Sequence, residues 1–281
     1  MNEPTEISQA SAPFHTALPI LELLNPRKLT VWAVLSAVAG VAVARLTYEL
    51  WATPLWISTL IVLLLLLPVG TFKWRDDRRR YGTIVMVISI LLVAQGTHTI
   101  EHIVQWVEYH ILFFTPRQSN GLLSPANSEW VHFTWNWIVL ATVLWLVFVG
   151  KVRNFWMYVL LAVAMGHTAE HTYLFIRFIQ VQRELGALAL NNISAQGLPG
   201  FFGRDGWLAR SPLTFGTFLR TLPGLTTAIR LDVHFWWNMI EITATLIAVH
   251  AYLHGLGRAP KAESAGGEDR PAPGTAALNT R

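Results

Sequence analysis

The sequence predicts an all-α integral membrane protein with six transmembrane helices, and its composition and hydropathy support that fold class. Of 281 residues, 53% are hydrophobic and 14% are charged, whereas soluble domains carry about a quarter charged residues. Thirteen Trp residues are typical of helices that end at membrane interfaces. The composition therefore indicates that lipid, rather than water, surrounds most of the chain.

Six segments approach the roughly 20 apolar residues that a helix needs to cross a bilayer. The predicted spans are 29–51, 55–72, 82–112, 130–150, 154–178 and 233–254. The domain prediction that follows is a cytoplasmic leader (1–28), a two-helix hairpin (29–72), two helix pairs (82–150 and 154–257), a long outer loop (179–232) within the second pair, and a disordered cytoplasmic tail (258–281).

Basic residues between the spans predict how the chain is oriented. Residues 73–81 hold five basic and two acidic side chains, and Lys151 and Arg153 mark a second basic turn. Basic loops are usually cytoplasmic. We therefore predict a multi-pass protein of the plasma or inner membrane, with both termini in the cytoplasm.

Two different motifs each occur twice, in the same order. H-T-x-E-H spans residues 98–102 and 167–171, and H-F-x-W-N spans residues 132–136 and 234–238. Such a pattern indicates a duplicated two-helix unit, made of spans 3–4 and 5–6. These four helices are predicted to form a His/Glu-rich core. The first two spans contain no copy of either motif.

The motif histidines are predicted to lie at one depth in the membrane. At about 1.5 Å per residue, His98 lies about 27 Å above Arg80, and His132 lies about 28 Å above Lys151. His171 lies about 27 Å above Arg153 by the same rule. Residues spaced i and i+4 share one helix face. The histidines should therefore converge toward the extracytoplasmic side.

Ionisable groups inside a bilayer mark functional sites by default. Imidazole suits Fe, Cu and Zn, carboxylates add oxygen ligands, and bundle cores hold dinuclear metal sites. The chain has no cysteine, which excludes thiolate ligands, iron–sulfur clusters and c-type haem. We predict two Fe or Cu ions, with Zn as a further candidate. The predicted ligands are His98, Glu101, His102, His132, His167, Glu170, His171 and His234.

Other polar residues are assigned supporting roles in this hypothesis. Glu241, Glu101 and Glu170 are the candidate catalytic acids, with Glu241 as a proton carrier. Asn136 and Asn238 are predicted to bind ligand imidazoles through hydrogen bonds. Because Val139 occupies the position that matches Glu241, the two halves are predicted to be inequivalent.

The leading functional hypothesis is a metal-dependent oxidoreductase that activates O2 and oxidises a lipid or other apolar substrate. Its His-rich helices resemble those of membrane fatty-acid hydroxylases and desaturases, although the chain has no H-x-x-H-H box. Electrons would come from a quinone or a redox partner protein, since no flavin or nucleotide motif is present. No nucleic-acid partner is expected.

Four further hypotheses remain open from the sequence. They are a b-type haem protein that transfers electrons, an outward-facing metal-binding or transport protein, a structural subunit of an oligomeric membrane complex, and a metal-free bundle joined by polar contacts.

Overall fold

The computed structural model describes residues 17–258, and all regular secondary structure in that range is helical. The helices are α1 (Pro19–Leu24), α2 (Thr30–Trp51), α3 (Leu55–His110), α4 (Glu129–Phe148), α5 (Phe155–Ala187), α6 (Trp207–Arg210) and α7 (Arg230–Arg258). Within this range, four stretches are long and apolar enough to cross a membrane: Arg27–Trp51, Leu55–His110, Glu129–Phe148 and Arg230–Leu256. The described part of the chain is thus all-helical, with helices long and apolar enough for a bilayer.

The 56-residue helix α3 reverses direction at Gly82. Gly82 has φ 87° and ψ 174°, a backbone conformation that is essentially restricted to glycine. The Lys73 ammonium donates a hydrogen bond of 2.8 Å to the Ser89 hydroxyl. A straight helix would hold these two residues about 24 Å apart. Residues 55–81 and 83–110 are therefore two antiparallel segments, called here the first and second segments of α3.

The prediction of a loop at residues 73–81 is wrong, because helix α3 continues through these residues. Lys73 and Asp77 are buried and paired with each other. Arg27 also donates to Asp77, at 2.9 Å, and to the Tyr81 hydroxyl, at 3.1 Å. A buried carboxylate requires such partners. Part of the basic segment therefore fastens the Gly82 corner instead of forming an exposed loop.

The end of the predicted leader is folded. Leu23 of α1 is fully buried in the same apolar core as Leu253 of α7. The predictions for residues 1–16 and 259–281 lie outside the described residues.

Helix α5 extends to Ala187, beyond the predicted end at residue 178. Because His and Glu side chains interrupt its apolar stretch, α5 is not among the four most apolar spans. Residues 188–229 contain only α6 and the short 3-10 turns Pro212–Thr214 and Phe218–Thr221.

A four-helix bundle is formed by the second segment of α3 together with α4, α5 and α7. Helix α4 packs closely against α5, and α7 packs against both α5 and α3, while α2 packs against α3 beside the bundle. Apolar side chains fill the half of the bundle nearest Gly82, including those of Ile88, Val143, Leu146, Leu160 and Ala248. The motif histidines lie toward the opposite end, called here the histidine end.

Candidate metal centre

Six histidines from four helix segments come together at the histidine end. They are His98 and His102 of α3, His132 of α4, His167 and His171 of α5, and His234 of α7. Neighbouring rings have centroids between 4.7 and 6.0 Å apart. Five of the rings are buried, and His98 is half-buried. The structure therefore brings together the six histidines that were predicted to converge.

His98, His102 and His132 form the first set. Each offers one ring nitrogen, and the three nitrogens lie within 4.8 Å of one another. The Nε2 atoms of all three rings are buried and have no hydrogen-bond partner. Leaving a buried polar atom unpaired costs about 1–3 kcal/mol. One metal ion bound by all three rings would give each of these Nε2 atoms a partner.

His167, His171 and His234 form the second set. The Nε2 atoms of His167 and His171 face each other at 3.2 Å. Two imidazole nitrogens bound tetrahedrally to one ion at 2.0–2.1 Å are about 3.3 Å apart. The ring centroid of His234 lies 4.8 Å from that of His171. His234 donates from Nδ1 to the Arg230 carbonyl at 3.0 Å, which leaves its Nε2 as the unprotonated nitrogen.

Hydrogen bonds to other side chains orient two further rings. Glu241 Oε2 lies 2.8 Å from His167 Nδ1, and its other oxygen is buried without a partner. His102 Nδ1 donates to the Gln105 amide oxygen at 3.0 Å. A carboxylate bound to Nδ1 fixes the tautomer of a metal-binding histidine and raises its basicity. Glu241 therefore acts on the second set, whereas its counterpart Val139 has no such group.

The two motif glutamates point toward the connecting loops. Glu101 accepts hydrogen bonds from the Leu122 and Leu123 amides, at 2.8 and 3.0 Å. Glu170 accepts from the Phe201 amide at 3.0 Å. Hydrogen bonds from backbone N–H groups stabilise a carboxylate in the position in which it accepts them. The ligand atoms that the structure brings together are consequently imidazole nitrogens, and the predicted carboxylate ligands lie outside that set.

A glycine adjoins each of these carboxylates. A side chain at Gly121 would overlap the Glu101 carboxylate, and one at Gly200 would overlap that of Glu170. Both loops thus depend on a glycine to approach the helix closely.

The predicted role of the motif asparagines is corrected in one respect. The Nδ2 atoms of Asn136 and Asn238 donate to the main-chain carbonyls of His132 and His234, each at 2.9 Å. These bonds lie one turn back along the same helix. The amide donors therefore bind the main chain of each histidine and not an imidazole ring.

The motif tryptophans lie against the rings. Trp135 has its centroid 5.4 Å from that of His98, and Trp237 stacks on His167 at the same distance. The two tryptophans occupy the same position in H-F-x-W-N. Each thus packs on the first histidine of an H-T-x-E-H motif.

A partly buried ion pair that was not predicted from the sequence joins α4, α7 and the long connecting segment. The Arg230 guanidinium donates to Glu129 at 2.6 Å and to the Leu198 carbonyl at 2.7 Å. Glu129 and Arg230 precede His132 and His234 by three and four positions, so they share the histidine faces. This spacing from the histidines was the sequence feature from which the ion pair could have been predicted.

A cavity of about 320 Å³ lies between the second segment of α3 and α4. Its lining residues include His98, Glu101, Val131, His132 and Trp135. The first histidine set therefore borders open space.

No protein-family model, curated protein or solved structure matches this chain. Among the described residues, one group of three imidazoles has the spacing of metal ligands, namely His98, His102 and His132, and the other three histidines lie beside it.

Proposed function

We propose that this chain is a membrane metalloprotein in which each set of three histidines holds one transition-metal ion. The observation that carries the proposal is the first set, with three buried and unpartnered Nε2 atoms. Such atoms are rare in native proteins and call for a bound partner. A metal-free polar bundle would pair these three nitrogens with one another or with nearby amides, as the Nε2 atoms of His167 and His171 pair at 3.2 Å in the second set.

Corresponding contacts in the two halves support a duplicated two-helix unit. Each half supplies two histidines from H-T-x-E-H and one from H-F-x-W-N. In each half the motif glutamate binds loop amides next to a glycine, and the motif tryptophan packs on a ring. One ion for each half follows from this correspondence.

Six membrane spans are part of the proposal. The two segments of α3 count separately, and α5, with 33 residues, exceeds the length that a bilayer requires. Basic residues cluster near the Gly82 end, so that end and both termini are assigned to the cytoplasm. The histidine end then lies in the extracytoplasmic half of the membrane.

The all-imidazole ligand set suits copper or iron. Neutral imidazoles suit Cu, Fe and Zn, whereas hard carboxylate oxygens suit Mg, Ca and Mn. Zinc has no redox chemistry in proteins, so it fits a structural or hydrolytic site only.

We assign an oxidoreductase activity to this centre, with O2 as oxidant and a lipid or other apolar molecule as substrate. One oxygen atom enters a C–H bond and the other leaves as water, which consumes two electrons and two protons. A quinol or a redox protein supplies the electrons. Glu241, whose second oxygen is unpaired, is the candidate proton carrier beside the second set.

The packing disfavours both a haem protein and a metal transporter. A b-type haem takes two axial imidazoles, which would leave four of the six converged histidines without a role. A metal transporter would need polar groups toward the Gly82 end, where the described bundle core is apolar.

The test is metal analysis of the protein purified in mild detergent, with an optical spectrum of the same sample. We expect about two Cu or Fe per chain and no Soret band. His132→Ala and His171→Ala should each lose metal. The matched control is His250→Ala, because His250 and His254 form another i, i+4 pair on α7. Protein that stays metal-free after reconstitution with each metal contradicts the proposal.

A further inference from the structure

We infer that the cavity between α3 and α4 binds an aliphatic molecule that enters from the bilayer and presents one metal-binding end to the first histidine set. This inference rests on the proposed function, since that end would meet a metal held by His98, His102 and His132. Beyond the proposed function, the inference specifies where the ligand lies, how it is oriented and which of the two ions it reaches.

The cavity connects the histidines with the outer surface of the bundle. His98 and His132 line it, and both have Nε2 atoms without a hydrogen-bond partner. Val131 also lines it and is 43% exposed. Since a residue cannot be both cavity-lining and exposed unless it stands near an opening, Val131 marks the mouth. Ligand access is therefore sideways, between two helices.

The two histidine sets differ in accessibility. Helix α5 packs closely against α7, whereas α3 and α4 make few contacts with each other. His167 is fully buried and stacked by Trp237, while its counterpart His98 is half-buried. The first set is thus the one that an external ligand reaches, and the second set is enclosed.

The lining identifies the class of occupant. Apolar surface is presented by Ala94, Leu123, Ala126, Val131 and Trp135. The polar lining residues are Thr97, His98, Glu101, Asn127 and His132. A mostly apolar pocket with a few polar groups at one end orients an amphiphilic ligand. The volume, about 320 Å³, is at the small end for ligand pockets, which favours a single slender chain over a sterol or a two-chain lipid.

The first experiment is photolabelling in nanodiscs with a dodecyl diazirine, followed by mass-spectrometric mapping. We expect labelling of Thr97, Val131 and Trp135 above that of lipid-facing Ile138. Val131→Trp should reduce labelling of Thr97 and Trp135 to the Ile138 level. The matched control is Ile138→Trp, on the same helix and 57% exposed, which should leave cavity labelling unchanged. Equal labelling of the cavity and the lipid-facing surface would overturn the inference.

The second experiment uses metal-loaded protein and 1-dodecylimidazole, whose head group binds metals. The probe should shift the optical spectrum of the wild type and of Ile138→Trp, and Val131→Trp should lose the shift while retaining its metal. A shift retained in Val131→Trp would place ligand entry elsewhere. Because diazirine labelling needs no metal, a protein without metal but with a labelled cavity would refute only the proposed function.

Discussion

At the scale of single residues, the main difference between the two histidine sets is the acid at residue 241. Glu241 accepts a hydrogen bond from His167, and Val139 stands at the matching position in the first half. A carboxylate that accepts the Nδ1–H bond raises the basicity of the imidazole, which strengthens its bond to a metal ion. In the proposed two-ion centre, the second set should therefore bind its ion more tightly than the first set does.

We expect Glu241→Gln to weaken metal binding by about 10–100-fold at the second set. At a metal concentration that just fills both sets of the wild type, the content of the variant should fall from two ions per chain toward one, as measured by mass spectrometry. Glu184→Gln is the control, because Glu184 is an exposed carboxylate on the same α5 helix as His167. Equal metal content in both variants would contradict a role for Glu241 in ligand positioning.

The loop anchors also depend on single atoms. Gly200→Ala should displace the Glu170 carboxylate, because the added methyl group would overlap it. We expect a loss of about 1–3 kcal/mol in the free energy of unfolding, typical of overpacking. Thermal melts in detergent would measure it. Gly96→Ala, where a methyl group meets no atom within 4 Å, should not destabilise the protein.

At the scale of helices, the Gly82 corner decides the path of the chain. Gly82 adopts a conformation that other residues reach only with strain. We expect Gly82→Ala to cost about 1–3 kcal/mol, seen as a lower melting temperature. Gly255→Ala, on α7 with no atom near the added methyl group, is the control. An unchanged melt for Gly82→Ala would show that the corner tolerates another residue.

The helices themselves were largely predictable, and their ends were less so. Hydropathy located the membrane-length stretches, because apolar length is the physical requirement for crossing a bilayer. The helical residues 73–81 were mistaken for a loop, since their charges are neutralised only by the tertiary pairing of Asp77 with Lys73 and Arg27. Such long-range partners leave no local pattern.

The site was predictable to a similar degree. Repeated motifs and helical spacing identified the six histidines that converge. Side-chain directions were not predictable, because Glu101 and Glu170 bind amides of loops whose path depends on the folded bundle. The cavity beside His98 was missed for the same reason, since it arises from sparse packing between two helices.

At the scale of the whole molecule, orientation can be tested directly because the chain contains no cysteine. Single-cysteine variants at Arg79 and Asn191, both exposed, report on the two ends of the bundle. A membrane-impermeant maleimide applied to intact cells should label Asn191→Cys and spare Arg79→Cys. After lysis both should react. The reverse pattern in intact cells would invert the proposed topology.

The apolar half of the bundle has a further consequence. Ile88, Val143, Leu146 and Leu160 are buried between the histidines and the Gly82 end. Ser89 and Thr245 are also buried there, but they are hydrogen-bonded to Lys73 and to the Glu241 carbonyl, so most of the described core on that side offers no polar groups along which protons could move. In the proposed oxidoreductase, with electrons delivered at the histidine end, protons and electrons would both enter from one side of the membrane. Turnover in that arrangement would move no net charge across the bilayer. Its rate should therefore be insensitive to membrane potential, and the protein should not pump protons.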